Sequence, residues 1–430
     1  MRKTSLAGLI LFFMFLPWQV AWAGPTSGGL LGLLPPEARE GRLTRGGFAV
    51  MLAAAANLKV EAAVAKLPRD VPAGRWYAPA LQGLWQEGMI YGYPGGALRP
   101  EQEITTLEAV ILTARVLGLP NEISAPPSEL QPGDIPYGFN QYAFFHRQGL
   151  LPPGAPGAIL TPAAAADWLA AVFGSEIEAK NLMDKCRQAL SRRQGIATTG
   201  EAVISFHSRP GLPATMELDR LTIRGRISNE VLLPARLRQV AAMELEGRRS
   251  LVIEQVAADG NLYRRVTDSA GQPGSGSWQH LQLAPDVPLL MRQQQNLGLP
   301  AGIYPHLHYR SLGRYKIAGR EVLGISFYTR LNQAGTITDF LPAAALSNTM
   351  AAFLDQQGGV IRAFSYWGLI YVDPATLLPA RSDLNLVLTF APASKGRPAP
   401  VTAMEMRYRV DKYAYDDIRI DLPVAAAPVK

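Results

Sequence analysis

Cysteine is almost absent from this chain: Cys186 is the only one in 430 residues. An intrachain disulfide is therefore excluded, as is a lipid-modified cysteine near the N-terminus. A single thiol without a partner motif does not specify nucleophilic catalysis, and Cys186 reads as a small buried hydrophobe on a helix. Histidine is scarce too, at five. His306-Leu307-His308 would place two imidazoles on one face of a strand, half of a metal site. No nearby motif supplies further ligands, and a surface or interfacial pair is the plainer reading. There is no Gly-x-Ser-x-Gly elbow and no phosphate-binding loop, since "QPGSGS" is not followed by a Lys-Ser/Thr helix. Asp416 and Asp417 are adjacent and would face opposite sides of a strand, which disfavours a paired-carboxylate site. "GRRS" and "YRR" are too sparse for nucleic-acid binding. The residues thus predict no catalytic constellation, no metal, no cofactor and no nucleic-acid partner.

Long apolar runs are missing everywhere except at the start. Arg2 and Lys3 precede "LAGLILFFMFL", and Ala21-Trp22-Ala23 before Gly24 is a small-x-small cleavage pattern. This reads as a secretory signal peptide over residues 1–23; the alternative, a retained anchor, has an apolar run short of a bilayer span. The expectation is an exported protein with no transmembrane segment in the mature chain. It is secreted or kept at the cell wall or cell surface by some other means. Formal net charge is +7, unevenly spread. Residues 24–175 carry 10 Lys+Arg against 12 Asp+Glu, and residues 176–430 carry 30 against 23. The basic excess suits anionic polymers or headgroups, although scattered basic residues are also simply solvated.

A unit of about sixty residues recurs, the signature of a repeat architecture. Gly32-Leu33-Leu34-Pro35-Pro36 leads to Thr44 as Gly149-Leu150-Leu151-Pro152-Pro153 leads to Thr161. Gly88-Met89-Ile90 leads to Thr105 after a longer loop, and Asp70-Val71-Pro72 is answered by Asp134-Ile135-Pro136. Each copy reads as helix, Gly stop, loop, helix. Tyr77, Leu81, Leu84 and Trp85 fall at helical spacing, and Gly88 ends that helix. Thr105-Thr106-Leu107-Glu108 is a capping box; Thr161-Pro162 is an N-cap with proline at the first helical position. Thr44 is a third N-cap, followed by the apolar stripe Phe48, Met51, Leu52 and Ala55. One such unit cannot bury its apolar face alone, so two or three must pool a core.

Residues 30–175 resemble the S-layer homology (SLH) module. The resemblance is carried by Asp70-Val71-Pro72, Trp76, Glu87-Gly88-Met89-Ile90, Gly92-Tyr93-Pro94-Gly95-Gly96, Leu98-Arg99-Pro100 and Ile104-Thr105. It implies an all-α, pseudo-threefold bundle that attaches non-covalently to secondary cell-wall polysaccharide, typically pyruvylated, in grooves between repeats. The binding residues it implies are Thr44, Arg45, Asp70, Trp76, Gly92, Tyr93, Gly95 and Gly96. The family's helix start reads Thr-Arg-Ala-Glu, its arginine contacting the acidic ligand, and only Thr44-Arg45 retains it. The other starts have Thr106 and Pro162 in that place, and neither can grip a carboxylate through two parallel hydrogen bonds. Gly95 replaces the loop's aspartate, and the third copy lacks the loop. One competent groove, near Arg45, is expected. Alternatively Arg45 is an exposed helix-start arginine, and Trp76 and Trp85 are core residues rather than sugar platforms.

After Gly174 the texture changes. "SEIEAKNLMDKCRQALSRR" predicts an amphipathic helix with Ile177, Leu182, Cys186 and Leu190 on one broad side. Strand-like runs follow, among them "EAVISFHS", "LRQVAAMELEG", "NLYRRVTD", "RYKIAGREVLGISFYTRL", "AFSYWGLIYVD" and "VTAMEMRYRVDKY". "LPAAALSNTMAAFLDQQG" predicts another helix. The pattern fits a meandering antiparallel sheet with two or three helices on one face, an α+β domain. "NLYRRVTDSAGQPGSGSWQHL", "YWGLIYVDPATLLPARSDLNL" and "KYAYDDIRIDLP" give residues 178–425 a resemblance to the half-barrel lipoprotein carriers such as LolA. That resemblance implies a curved sheet with helical cover around an apolar cavity for a lipid or other hydrophobic ligand. Phe364, Tyr366 and Trp367 would line it, or else belong to the core. The expected layout is thus a signal peptide (1–23), a truncated SLH repeat (24–66), two further repeats (67–120 and 121–175) and a half-barrel-like domain (176–430). The leading expectation is wall attachment by the repeats, displaying a non-catalytic binding or structural domain. A hydrophobic-ligand carrier or sensor is the alternative, and an unrecognised wall-modifying enzyme a third.

Overall fold

The computed structural model describes residues 25–58, 68–86, 89–119, 135–208, 222–233, 236–245, 249–258, 261–268, 277–282, 304, 306–331, 359–392, 401–421 and 423. The signal peptide expected over 1–23, Gly88 and the helix expected over 341–358 lie outside them. The chain divides into two compact units, Trp22–Glu176 and a second containing Ile177–Lys430.

The first unit is built on helices α1 (Ser27–Gly32), α2 (Arg45–Ala55), α3 (Ala78–Gln86), α4 (Thr106–Val116), α5 (Phe139–Arg147) and α6 (Pro162–Phe173). Three of them start in the same way. Thr44, Thr105 and Thr161 are extended N-caps whose hydroxyls accept from Gly47 N, Glu108 N and Ala164 N. In the second, Glu108 reaches back to Thr105 N and completes the capping box. The residue before each cap belongs to a closed ring of backbone bonds: Leu43 N donates to Leu160 O (2.9 Å), Leu160 N to Ile104 O (3.1 Å) and Ile104 N to Leu43 O (2.9 Å). All three residues are buried. The free N–H groups beyond two of the caps go to a neighbouring loop. Arg45 and Gly46 donate to Gln102 O and Pro100 O, and Thr106 and Leu107 to Ala158 O and Pro156 O. At the third start Pro162 has no N–H to place. The predicted stripe Phe48, Met51, Leu52 and Ala55 is fully buried, as are Tyr77, Leu81 and Leu84, whereas Trp85 is half-buried.

The second unit opens with α7 (Ile177–Ser191) and continues as β1 (Gly195–Ser208), β2 (Thr222–Leu232), β3 (Arg236–Leu245), β4 (Arg249–Ala258), β5 (Asn261–Asp268) and β6 (Gln279–Gln282). The remaining strands are β7 (His308–Ile317), β8 (Arg320–Leu331), β9 (Gly359–Val372), β10 (Pro379–Pro392) and β11 (Val401–Tyr415). They form one open antiparallel sheet in the order β6-β5-β4-β3-β2-β1-β11-β10-β9-β8-β7. The sheet is therefore two meanders rather than one. The first and last strands pair at its centre, from Ile196 opposite Tyr415 to Ser208 opposite Val401. Local turns close the hairpins. Ala318 and Gly319 are both left-handed between Ile317 and Arg320, which a two-residue hairpin requires. Asp373 Oδ1 accepts from Ala375 N and Thr376 N before β10.

Helix α7 lays Ala179, Met183, Cys186 and Leu190 into the sheet's main apolar cluster. Ile177 does not join them and is 76% exposed. At about 100° per residue it sits roughly 200° round the helix from Ala179, so the stripe runs through Met183 rather than Ile177. Asp416 and Asp417 fall beyond β11 rather than within a strand. Asp416 has φ 70° and accepts from Arg193 (2.8 Å) and Gln194 N (3.2 Å).

On the face that carries this cluster, register aligns one polar residue from each of six neighbouring strands: Thr198, Asn229, Gln239, Gln255, Arg264 and Gln279. This rib separates the main cluster from a smaller one around Val231 and Ala257. Gln239 Nε2 donates to Asn229 Oδ1 (2.8 Å), and Asn229 Nδ2 to Tyr408 Oη (3.2 Å). Both amides are buried, so each depends on the other. Gln239→Ala is expected to destabilise the protein by about 1–3 kcal/mol, the cost of leaving Asn229 without its donor, measured by chemical denaturation. Gly46 is a sharper test of packing in the first unit. A Cβ there would lie 2.8 Å from Tyr77 Cγ and 3.2 Å from Pro100 O. Gly46→Ala should lower the thermal midpoint, although alanine is the better helix former by about 1 kcal/mol.

Candidate functional site

The loop ahead of α4 is shaped by its glycines. Gly95 and Gly96 have φ 97° and 82°, values that glycine adopts at no steric cost. A Cβ on Gly92 would sit 2.6 Å from the Gly96 backbone. Tyr93 N donates to Ala97 O (2.9 Å) and Gly96 N to Tyr93 O (2.7 Å). The closed loop carries Tyr91, which is 58% exposed, and Tyr93. Asp70 holds the following turn by accepting from Leu98 N (3.2 Å) and Arg99 N (2.6 Å). Arg99 is thereby kept at φ 50°, a conformation costing about 1–2 kcal/mol outside glycine.

Tyr93 is the centre of a charged cluster. The Arg99 guanidinium carbon lies 4.3 Å from its ring centroid and that of Arg45 4.8 Å. The Tyr93 hydroxyl donates to Glu108 Oε1. Its pKa is pushed up to about 12, by burial first and then by that bond. Arg45 is buried rather than exposed. Its Nε donates to Leu98 O (3.1 Å) and its Nη1 pairs with Glu108 (3.2 Å). Two of its donors are thus spent inside the protein, and Arg45 acts as a fixed charge in the cluster. The guanidinium presented to solvent is that of Arg99. Tyr137, 54% exposed, has its pKa raised by burial and then by Glu108, with Arg45 opposing, which puts it beside the same charges. Arg115 lies farther along α4, its guanidinium carbon 4.9 Å from the Tyr91 centroid.

Of the residues singled out in the sequence, Arg45 and Tyr93 meet directly. Gly92, Gly95 and Gly96 shape the loop, and Asp70 positions Arg99. Thr44 is occupied as a cap. Trp76 is not among the partners of Arg45. Its exposed ring stands edge-on to Tyr77 (5.5 Å) and near Gly47. Sequence reading did not bring Arg99, Tyr91, Tyr137 and Arg115 together here, and saw Glu108 only as the capping-box glutamate. Arg99 stood in a quoted motif, but nothing in the sequence showed that it would face Tyr93. At the equivalent start of α4, Thr106 is fully buried and its hydroxyl donates to Ala158 O (3.2 Å).

In the second unit Phe364, Tyr366 and Trp367 are all buried but do not share a face. Phe364 and Tyr366 stack (6.2 Å), Tyr366 also stacks on Phe327 (5.3 Å), and all three join the main cluster. Trp367 alternates to the other side, opposite Tyr328 and Asn385 in register. Cys186 is buried, its thiol pushed up to about 12 by desolvation, far from thiolate chemistry at neutral pH. Several of the basic residues of this unit are held in ion pairs, among them Arg238–Glu254 (3.0 Å) and Arg409–Glu201 (2.7 Å). Among the described residues no three His, Cys, Asp or Glu are grouped to hold a metal, and no helix is long and apolar enough to cross a membrane.

The comparisons with known proteins are short or shallow. No family model matches the chain. A stretch of 48 residues is 48% identical to the outer membrane protein SlpA of Deinococcus radiodurans, covering 11% of this chain and 4% of that protein. Another of 67 residues is 36% identical to an S-layer protein of Bacillus licheniformis, covering 16% and 8%. The chain therefore spans less than a tenth of the length of these curated relatives. Among solved structures, LprF of Mycobacterium bovis aligns over 58% of this chain and 98% of its own at 10% identity and TM-score 0.29. LppX of Mycobacterium tuberculosis aligns over 57% and 100% at 9% and 0.23. Scores this low carry no argument.

His308 opens β7, its ring 5.0 Å from Tyr328. Burial, and secondarily His306, lowers its pKa to about 4. Below the unfolded value near 6.5 the unfolded chain takes up a proton that the folded one refuses. The associated stability is complete above pH 6.5 and is lost as pH falls toward 4. His308→Phe should flatten the stability–pH profile over that window, measured by denaturant titration at successive pH values.

Proposed function

We propose that this is an exported cell-surface protein held non-covalently to an acidic cell-wall polysaccharide by residues 25–175, which act as degenerate SLH repeats. Residues 177–421 form the displayed part, with a binding or structural role. The observation that carries this reading is the pair of guanidinium groups on the Tyr93 ring, the buried Arg45 and the exposed Arg99. Glu108 is paired with Arg45, and Asp70 accepts from backbone amides. An exposed guanidinium over one tyrosine ring and close to the exposed Tyr91 and Tyr137 suits an acidic sugar. Rings stack on aromatic faces while a carboxylate takes charge-assisted bonds from Arg99. The ring of caps, with Thr106 and Pro162 where Arg45 stands, supports a single competent groove. The similarity of two stretches to proteins named for outer membrane and S-layer supports the surface location.

The test is co-sedimentation of the full chain with native wall sacculi and with sacculi stripped of polysaccharide. Retention on native sacculi alone is expected, and Arg99→Gln should weaken it roughly ten- to a hundredfold. That corresponds to one charged hydrogen bond of roughly 1.5–3 kcal/mol, and exposed Arg99 can be changed without disturbing the core. Equal behaviour of the two sacculi would sink the reading.

A second reading concerns the sheet: it holds a hydrophobic or amphiphilic molecule. It is favoured by the polar rib crossing an otherwise apolar face, where Gln255 Oε1, in a residue 2% exposed, has no hydrogen-bond partner among the described residues. Solvent extraction of the purified protein followed by mass spectrometry should then recover a bound amphiphile. Recovery of none, with no uptake of an apolar dye, would count against it.

A further inference from the structure

The polar rib of the second unit is not completed by the strands that carry most of it. Gln239 depends on Asn229, and Asn229 in turn donates to Tyr408 of β11 (3.2 Å). Both amides belong to the first meander, β1 to β6, whereas β11 comes from the other end of the unit. The same strand also holds the second meander. Tyr413 shares a hydroxyl hydrogen bond with Ser382 (2.8 Å), and Tyr415 donates to Pro379 O (2.7 Å), both on β10. Arg409 pairs with Glu201 of β1 (2.7 Å). Met404 is fully buried, opposite Phe206 on one side and Leu388 on the other. The main apolar cluster draws on both meanders, with Ile204, Ile227 and Met243 from one and Phe327, Tyr366 and Leu388 from the other. Without β11 that cluster is cut in two and the Asn229 amide loses its acceptor. β1 and β10 would then be open edges of 14 residues each. Unpaired edges of that length are a liability, and an unsatisfied buried donor carries its full desolvation penalty. Hairpins ordinarily form early because their contacts are local, and they open as separate units. Here neither set of hairpins has a finished core before β11 arrives.

We propose that β11 is a latch for the whole unit: neither meander keeps native structure until residues 401–415 are paired on both sides. Residues 177–421 therefore fold as one body, and only after their last strand has been made. The seam itself is tight. A Cβ on Gly200 would overlap Arg409 O, at the point where the pairing register shifts. The use of the device rests on the exported reading above, since a chain that stays unfolded until complete can be threaded through a membrane. Refolding in solution does not depend on that reading, so the two stand or fall separately.

The experiment unfolds the full chain in guanidinium chloride, refolds it by dilution and labels exchangeable amides with a short deuterium pulse at successive times. Mass spectrometry of fragments then gives a rate for each strand. Amides of β2 to β5 and of β8 to β10 should gain protection at the rate shown by β1 and β11. Protection of either group ahead of β11 overturns the latch. Native-state exchange in low denaturant tests the same point at equilibrium. Tyr413→Phe removes a hydroxyl bonded to β10, yet it should lower protection in β2 to β5 as much as in β8 to β10. The loss expected for one buried hydrogen bond is about fivefold or more. A loss confined to β8 to β10 overturns the proposal. Tyr408→Phe is the mirror case, with β2 to β5 as the near side. Gly200→Ala should abolish protection in both meanders together, and a meander that survives it overturns the latch.

Discussion

The charged cluster around Tyr93 depends on the way three helices begin. A helix start leaves several N–H groups without intrahelical partners, and buried ones must be satisfied elsewhere. Here the solution is shared. Each threonine ties off one donor, and the residues just before them bond to one another in a ring. Loop carbonyls take the donors that remain at the starts of α2 and α4. Because Arg45 N and Gly46 N bind carbonyls of the Pro100–Gln102 loop, the start of α2 is locked to the segment that carries Arg99. The placing of Arg45 beside Arg99 follows from this backbone economy, and side-chain chemistry is laid over it.

Electrostatics then divides labour among the arginines. Arg45, buried and bonded to Glu108 and Leu98 O, fixes potential without being free to move. Glu108 serves at once as cap, ion-pair partner and acceptor from Tyr93, so that changing it would disturb the helix start and the charged cluster together. Arg99 is held in an unfavourable backbone conformation by Asp70. Local strain of that kind persists where surrounding structure over-determines it and clusters at functional positions. The second helix start shows the contrast. With Thr106 in place of arginine, the side chain bonds the neighbouring loop and is fully buried, leaving no charge to recruit a ligand.

The sheet poses a different problem. Its central pairing joins strands at opposite ends of the unit, β1 and β11, so a contact remote in sequence must form before the two meanders become one sheet. Such closure carries an entropic cost that local hairpins avoid. The polar rib adds a register constraint. A slip of one residue in any of β2 to β4 would carry its amide to the opposite face and strand the others.

Much of this was legible in the sequence. The threonine caps, the apolar stripe of α2, the change of texture after Gly174 and most strands follow from local rules of capping and periodicity, because these are set by neighbours a few residues away. Chain chemistry likewise determined the lone thiol and the skew of charge. The alternation of Phe364, Tyr366 and Trp367 was also there to be read, since a period of two separates the third from the others. Tertiary structure alone decided that Arg45 would be buried against Glu108, that Arg99 would face solvent over Tyr93, and that six polar residues from six strands would align. Those arrangements join residues many positions apart, or turn on backbone angles that no local pattern specifies. They exist only once the chain has folded back on itself.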